Sequence, residues 1–447
     1  MKKLLIGTLA ALAIAACTVP KEPSIHPEWT YDSVVYEVNI RQYTPEGTFK
    51  AFEQHLPRLK ELGVDVLWLM PMYEIGKEER KGTLGSYYAI SDYKKVNPEF
   101  GTMEDFEHLL KAAHEQGFKV ILDWVANQTA PDHVWMSEKP ADFYERDSLG
   151  NAIYEYDWND TRSLNYENEE VWWAQDDAMR FWLEKGVDGF RCDAAGEVPA
   201  KFWKGILPKL NEDYPDIYLL AEAERTELAD ATETFDANYA WELHHLLNSM
   251  SNSEKDAVAL KEYVTRDSEA FPKEAFRLTF TSNHDENSWA GTEFERMGMF
   301  AEACAVLCFT LPNSQPLIYT GQEIGLNRRL EFFEKDPIDW SEESPIADFT
   351  AFFKKLCALK HDNPVLDAGE RGGEIVWWET ENPNLVAFHR VKGRNKIIVI
   401  ASFDMSDYPN LTVKLDGKYK DIFNDTTVSG DQTLTLKPGD YYVFTKK

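Results

Sequence analysis

Four short stretches of the chain place acids where they could transfer protons or attack an electrophile. They hold Asp123 and Asn127, Arg191 and Asp193, Glu222 and Glu224, and Asn283, His284 and Asp285. Residues 187–192 form a run too short and too β-like for helix, following a helical pattern over 172–185, so Arg191 and Asp193 share one face of a strand. A guanidinium beside a carboxylate favours its charged form, and an ionised Asp at a strand's C-terminal end is a candidate nucleophile. Taken alone, the pair reads as readily as a structural ion pair. The neighbouring acids change that balance. Like charges converging on one place raise at least one pKa, and separated pKa values let one carboxyl give a proton while another attacks.

The elements that must carry these residues repeat. Residues 33–40, 64–70, 118–125, 187–192, 217–221, 234–236, 276–281 and 316–319 read as strands. Helical spacing appears over 49–62, 103–116, 171–185, 199–210, 241–249, 295–307 and 347–360. Continuous apolar strands alternating with amphipathic helices mean a parallel sheet covered by helices, and eight such units predict an α/β fold of the (β/α)8 TIM-barrel type spanning 32–365. In such a barrel the chemistry sits where strands end and loops begin, which is where the four acid-bearing stretches fall. Residues 128–165 carry no period and are rich in Asp, Asn, Tyr and Trp, so they are expected to form a short insertion after the third strand. From 366 to 447 short strands separated by Gly, Asn and Asp turns predict a C-terminal antiparallel β-sandwich.

Composition narrows the partners. Asp plus Glu is 77 against 47 Lys plus Arg, a net charge of -30 that repels phosphate backbones, so nucleic acid is not an expected partner. Lys2 and Lys3 precede an apolar run over 4–16 and then Cys17, the layout of a secretory signal and too short to span a bilayer. A linker over 17–31 follows. Of the other cysteines, Cys304 and Cys308 lie one helical turn apart, where a disulfide is awkward, and with Cys192 and Cys357 they read as core thiols.

Asp123-Trp-Val-Ala-Asn127, Gly189-Phe-Arg191-Cys-Asp193-Ala-Ala, Leu220-Ala-Glu222 and Phe280-Thr-Ser-Asn283-His284-Asp285 resemble, in order, the four motif regions of the α-amylase family of glycoside hydrolases, family 13. Gly85-Ser-Tyr-Tyr88-Ala-Ile-Ser-Asp92-Tyr93 is similar to an upstream element of that family, and Tyr319-Thr-Gly-Gln-Glu323 to its last-strand motif. The resemblance implies a retaining α-glycosidase acting on starch, maltodextrins or related α-gluco-oligosaccharides. Asp193 would be the nucleophile, Glu222 the general acid and base, and Asp285 the third acid. Tyr88, Asn127, Gln128, Arg191 and His284 would bind substrate, although Tyr88 could be packing and His284 a core or capping histidine. Glu224 is a rival to Glu222 if the strand extends that far. The tetrad Ile14-Ala-Ala-Cys17 resembles a bacterial lipoprotein cleavage box, which implies lipidation at Cys17, a lipid bilayer as partner, and an exported protein anchored in the cell envelope on its periplasmic or surface face.

The chain also departs from the family pattern. Gln128 stands where the first motif usually has His, and Gln can hydrogen-bond but carries no charge. Ala223 and Glu224 follow Glu222 where an aromatic is common at the second position. Glu197 stands where calcium-binding members often place a His. Asn127, Asp157 and Asp160 could offer oxygens to a structural Ca²⁺, which normally takes six or more, so metal binding is left open and none is required for the chemistry. The same site could transfer the glycosyl unit to another sugar instead of water. A non-catalytic sugar-binding protein on this fold would be expected to lack one or more of the three acids, and all three are present.

Overall fold

A computed structural model describes residues 24–341 and 348–446; the signal segment and Cys17 lie outside the described residues. Eight parallel strands close into a barrel in sequence order: β1 (Val35–Val38), β2 (Val66–Leu69), β3 (Lys119–Val125), β4 (Gly189–Asp193), β5 (Tyr218–Ala221), β6 (Ala237–Tyr239), β7 (Phe276–Thr279) and β8 (Ser314–Tyr319), with β8 returning to β1. Alternation of side chains explains why the strands are apolar throughout. Outward residues such as Tyr36, Leu67, Leu122, Phe190, Leu219 and Ile318 pack with the surrounding helices, whereas Val35, Val66, Trp68, Ile121, Tyr218, Leu220, Phe276, Leu278 and Leu317 fill the interior. The same period of two carries the inward side upward from Val35 to Glu37, from Ile121 to Asp123, from Gly189 to Arg191 and Asp193, and from Leu220 to Glu222. The barrel interior is therefore apolar below and ionic at its C-terminal rim. Gly189 has φ 146°, and a Cβ there would lie 1.9 Å from the Tyr218 carbonyl oxygen, so no larger residue admits this β4–β5 approach.

At the opposite end, residues from Ser24 onward close the barrel: His26 packs on Phe276 and lies 2.7 Å from Asp236, and Tyr31 joins the interior core. Three acids punctuate the strand starts there. Asp65, Asp188 and Asp236 accept the backbone N–H groups of Val34, Val120 and Leu219.

Several boundaries differ from expectation. The helix expected over 49–62 is two, Phe49–Glu53 and Leu56–Leu62, because Pro57 supplies no N–H to the preceding turn. The one expected over 295–307 breaks at Gly298, φ 56°, into Glu293–Met297 and Ala301–Thr310. β6 lies just after the expected 234–236, its apolar signal masked by Asn238, whose amide turns outward to the Leu228 carbonyl. A hairpin, Tyr73–Ile75 with Ile90–Val96, and a helix, Ala257–Ala270, were not anticipated. The insertion after β3 is present as an irregular excursion clasped by Gln128–Thr129 pairing with Arg162–Ser163.

The C-terminal region is an antiparallel β domain: β9 (Glu374–Trp377), β10 (Leu385–Lys392), β11 (Asn395–Ser402), β12 (Tyr408–Asp421), β13 (Thr426–Leu436) and β14 (Tyr441–Lys446), hydrogen-bonded in the order β9-β10-β11-β14-β12-β13. One face, with Val386, Phe388, Ile397, Val399 and Val443, packs into the barrel's outer core. The other gathers Leu385, Ala387, Ile398 and Ile400 with Val413, Leu415 and Leu436 of the bulged β12–β13 hairpin, so the two layers of the expected sandwich belong to one continuous sheet. Cys192, Cys304, Cys308 and Cys357 are free and buried. Among the described residues no helix is long and apolar enough to cross a membrane.

Candidate active site

Period-two alternation brings four barrel strands' polar residues to one place, and the centre of that place is Arg191. Its side chain is fully buried beneath the rim, with the guanidinium 4.8 Å from the Trp68 ring and 5.6 Å from that of Tyr239. Nη1 donates to both oxygens of Asp123 at 2.8 and 3.0 Å and to Asp193 Oδ1 at 3.1 Å. Nη2 lies 2.8 Å from Glu222 Oε2, a charge contact without hydrogen-bond alignment. The chain then turns sharply at Ala194, φ 42°, a left-handed conformation costly for a residue with a side chain. That turn aims the Ala194 N–H at Glu222 Oε2, 2.8 Å away.

Asp285 approaches from the loop after β7, its Oδ2 3.4 Å from His284 Nε2. His284 is held from both sides: Nδ1 lies 2.5 Å from Glu37 Oε1 on β1, and Nε2 lies 2.8 Å from the Tyr88 hydroxyl, which also reaches Asp123 Oδ2 at 3.1 Å. The Tyr88 ring stacks on His284 at 5.4 Å between centroids and on Phe332 at 6.2 Å. Asp193, Glu222, Asp285, Tyr88, Gln128 and His284 all line one open cleft of about 1040 Å³, further walled by Tyr156, Trp158, Trp241, Trp289 and Phe332.

Charge is unbalanced here. Five carboxyls (Glu37, Asp123, Asp193, Glu222, Asp285) surround two cationic groups, Arg191 and His284. Burial pushes the Asp193 carboxyl well above its usual range, opposed by Arg191 and reinforced by Glu222, Asp123 and Asp285. Glu222 is raised by burial and Asp285 against the pull of Arg191 and the Ala194 N–H. Arg191 does favour the charged Asp193, as the strand spacing suggested, but one guanidinium divided among three carboxylates does not outweigh their burial. Burial lowers His284, yet Asp285 and Glu37 overcome it and bring its pKa up to about 9.

Two residues expected on the cleft surface are elsewhere. Arg191 is under the floor and touches the cleft through the carboxylates it holds. Asn127 does not line the cleft: its side-chain amide donates to Glu155 at 2.9 Å and its backbone carbonyl accepts the Leu164 N–H, fastening the excursion to the barrel. Glu224 also borders the cleft, but it is ion-paired to Arg277 and accepts the Glu242 N–H at 2.8 Å, which leaves Glu222 beside Asp193. Two of the residues considered for calcium are engaged by a lysine. Lys81 Nζ donates to the Asp157 carbonyl at 2.7 Å and lies 3.5 Å from Asp160 Oδ1, and among the described residues no group of three or more His, Cys, Asp or Glu is arranged to hold a metal ion. Glu37, Trp68 and Tyr239 were not singled out from sequence. Glu37 was visible in principle, as a lone acid inside the apolar run 34–40.

A closed (β/α)8 barrel with carboxylates gathered at its C-terminal rim defines an enzyme whose chemistry is done by acids. The comparisons make the class specific. The model of the α-amylase catalytic domain matches residues 24–155 and 151–364, and the chain belongs to the α-amylase family, with a glycoside hydrolase catalytic domain. The α-amylase MalA of Haloarcula japonica is 29% identical over 93% of this chain, which spans 62% of that relative's length. The α-1,4-glucan:maltose-1-phosphate maltosyltransferase of Salinibacter ruber is 27% identical over 86% of this chain and 61% of its own. The crystal structure of an α-amylase from Lactobacillus plantarum superimposes with a TM-score of 0.82 at 29% identity, covering 93% of this chain and 99% of that one.

Proposed function

We propose that the chain is a retaining α-glycosidase that hydrolyses α-glucosidic bonds in starch, maltodextrins or related α-gluco-oligosaccharides. The observation that carries this reading is the sharing of Arg191 by Asp193 and Glu222 at the floor of an aromatic-walled cleft, with Asp285 across from them. Asp193 and Glu222 share Arg191 and burial raises both carboxyls, so the pair keeps a proton to higher pH than either would in water; the retaining scheme places that proton on Glu222 and the charge on Asp193. Asp193 attacks the anomeric carbon while Glu222 protonates the departing glycosidic oxygen. The C–O bond breaks and a glycosyl ester on Asp193 forms. Glu222, now a carboxylate, takes a proton from water; the water oxygen bonds to the same carbon and the ester carboxylate leaves, so configuration is retained. Asp285 and His284 hold the sugar's hydroxyls, Gln128 offers a neutral amide beside them, and the Tyr88 ring lies beneath the sugar.

Incubation with maltoheptaose followed by proton NMR within minutes tests this. The expected first product is the α-anomer; β product, or no cleavage of any α-glucan, sinks the reading. Similarity to the Salinibacter maltosyltransferase favours a second reading in which a sugar hydroxyl replaces water. Products longer than the substrate would identify it. The lipoprotein-like residues before Cys17 support an exported, lipid-anchored enzyme. Cys17→Ala should then release the protein from the membrane fraction, and unchanged partitioning would remove the anchor.

A further inference from the structure

Glu37 has no part in the bond-breaking steps described above, yet it is fully buried inside the barrel, 2.5 Å from His284. Its second oxygen has no hydrogen-bond partner. A buried half-satisfied carboxylate is costly, and one placed under a cleft residue needs an explanation. Hydrogen-bond directions supply it. The Asp123 carboxylate, gripped by Arg191 and Trp68, can only accept, so the single Tyr88 proton goes to it. The Tyr88 oxygen must then accept from His284 Nε2. On the other side burial raises the Glu37 carboxyl, but His284 and Arg191 draw it down while His284 is held up to about 9, so Glu37 Oε1 accepts from Nδ1. Both ring nitrogens are donors, which is the imidazolium form.

The geometry points to Glu37 as a positioning residue for the cleavage reaction: from inside the barrel it holds His284 doubly protonated, so that the ring sets a positive charge beside Tyr88 and Asp285 where the sugar is cut. The inference rests on the glycosidase reading for the word cleavage, but not for the protonation of His284. The groups facing the ring are Glu37 from β1, Tyr88 from the loop after β2, Asp123 from β3, Arg191 from β4, Glu222 beyond β5, and Asp285 beside it. Of the carboxylates, Glu37 alone contacts Nδ1. Removing its charge therefore leaves Nε2 with its neighbours, Asp285 among them, and takes away the acceptor at Nδ1.

Full-length protein carrying ¹³C at the histidine Cε1 is titrated by NMR, the His284 signal being the one lost in His284→Gln. In the unsubstituted enzyme His284 is expected to stay protonated through neutrality, with a midpoint near 9. In Glu37→Gln the midpoint should fall by more than one pH unit, and kcat/KM on maltoheptaose, taken as a ratio to the unsubstituted enzyme, should fall as pH rises past the new midpoint. Glu37→Asp, with the charge one methylene further away, should move both by a smaller step; it also decides the matter if Glu37→Gln does not fold. A His284 midpoint that is the same in the unsubstituted, Gln and Asp proteins overturns the proposal, as does a kcat/KM ratio that stays constant across pH while the midpoint moves. The titration needs no turnover, so a chain that cleaves no glucan overturns the glycosidase reading while the titration still decides what Glu37 does to His284.

Discussion

Asp188 and Asp193 stand at the two ends of one strand, both largely withdrawn from water, and their environments push them in opposite directions. At the N-terminal end, burial of Asp188 would raise its pKa, but His114, Lys119 and the Val120 N–H converge on its oxygens at 2.7 to 2.8 Å and hold it below the usual carboxylate range. At the C-terminal end, Asp193 has a share of Arg191 and three other carboxyls for company, and it is pushed up. The difference is the number of donors aimed at each acid. The lower end of the barrel repeats the satisfied arrangement at Asp65 and Asp236, each with a backbone N–H and a histidine. The upper end leaves acids in excess of donors, and excess acid is what a proton-transfer site must have.

Asp193→Asn breaks the upper end most directly. Removing a nucleophile should lower kcat on maltoheptaose by about 10⁴ or more. Stability should move the other way. An acid whose folded pKa lies above its unfolded value loses stability as pH rises between the two, so at neutral pH the folded state bears the cost of ionising Asp193. The variant's melting temperature at pH 7 is therefore expected to equal or exceed that of the unsubstituted enzyme. Normal turnover, or a large drop in melting temperature with turnover kept, would make Asp193 another Asp188, a structural acid that happens to face the cleft.

Asp188→Asn is the converse and has a smaller effect. The amide can still accept from Val120 but no longer pairs with Lys119, which places the loss at about 1–3 kcal/mol in urea unfolding with kcat unchanged. Asp188 has a depressed folded pKa, so its stabilisation is complete above the unfolded value of about 3.9 and fades as pH falls through the folded one. The substituted protein should accordingly show a shallower loss of stability on acidification, and equal slopes for the two proteins would contradict the contrast drawn between the ends of β4.

Which end of a strand an acid occupies was legible in the sequence; what surrounds it there was not. Eight apolar runs interleaved with helical periods were enough for the barrel, and the strand-end positions of Asp193, Glu222 and Asp285 were enough to nominate them. Three-dimensional accounting was missing. Asp123, Asp193 and Glu222 divide a single guanidinium, a fact about β3, β4 and the end of β5 meeting that no spacing within one strand can reveal. Glu37 was missed for a related reason. A lone acid in a run of Val and Tyr stands out, but nothing near it in sequence says what it faces, and its partner His284 lies at the far end of the barrel sequence. Asn127 shares a motif with Asp123 but sits four residues on, past the end of β3, where the chain has already turned into the excursion.

Glu224→Gln tests the finest distinction, between two acids two residues apart. Glu222 and Glu224 alternate along the same extended chain, and from spacing alone either could carry the proton. The structure separates them by partners. Glu222 accepts from Ala194 and lies on Arg191, facing Asp193, whereas Glu224 is drawn to Arg277 and to the first turn of the helix Trp241–Ser251. Arg277 retains Asp267 at 3.1 Å when the Glu224 charge is removed, and a Gln oxygen can still accept from Glu242, so the expected stability loss is about 1–3 kcal/mol. Turnover on maltoheptaose should stay within about threefold, against a loss of orders of magnitude in Glu222→Gln. If the two substitutions cost the same, the rim acid shares the proton after all, and the contrast between satisfied and unsatisfied carboxyls does not decide which of them works.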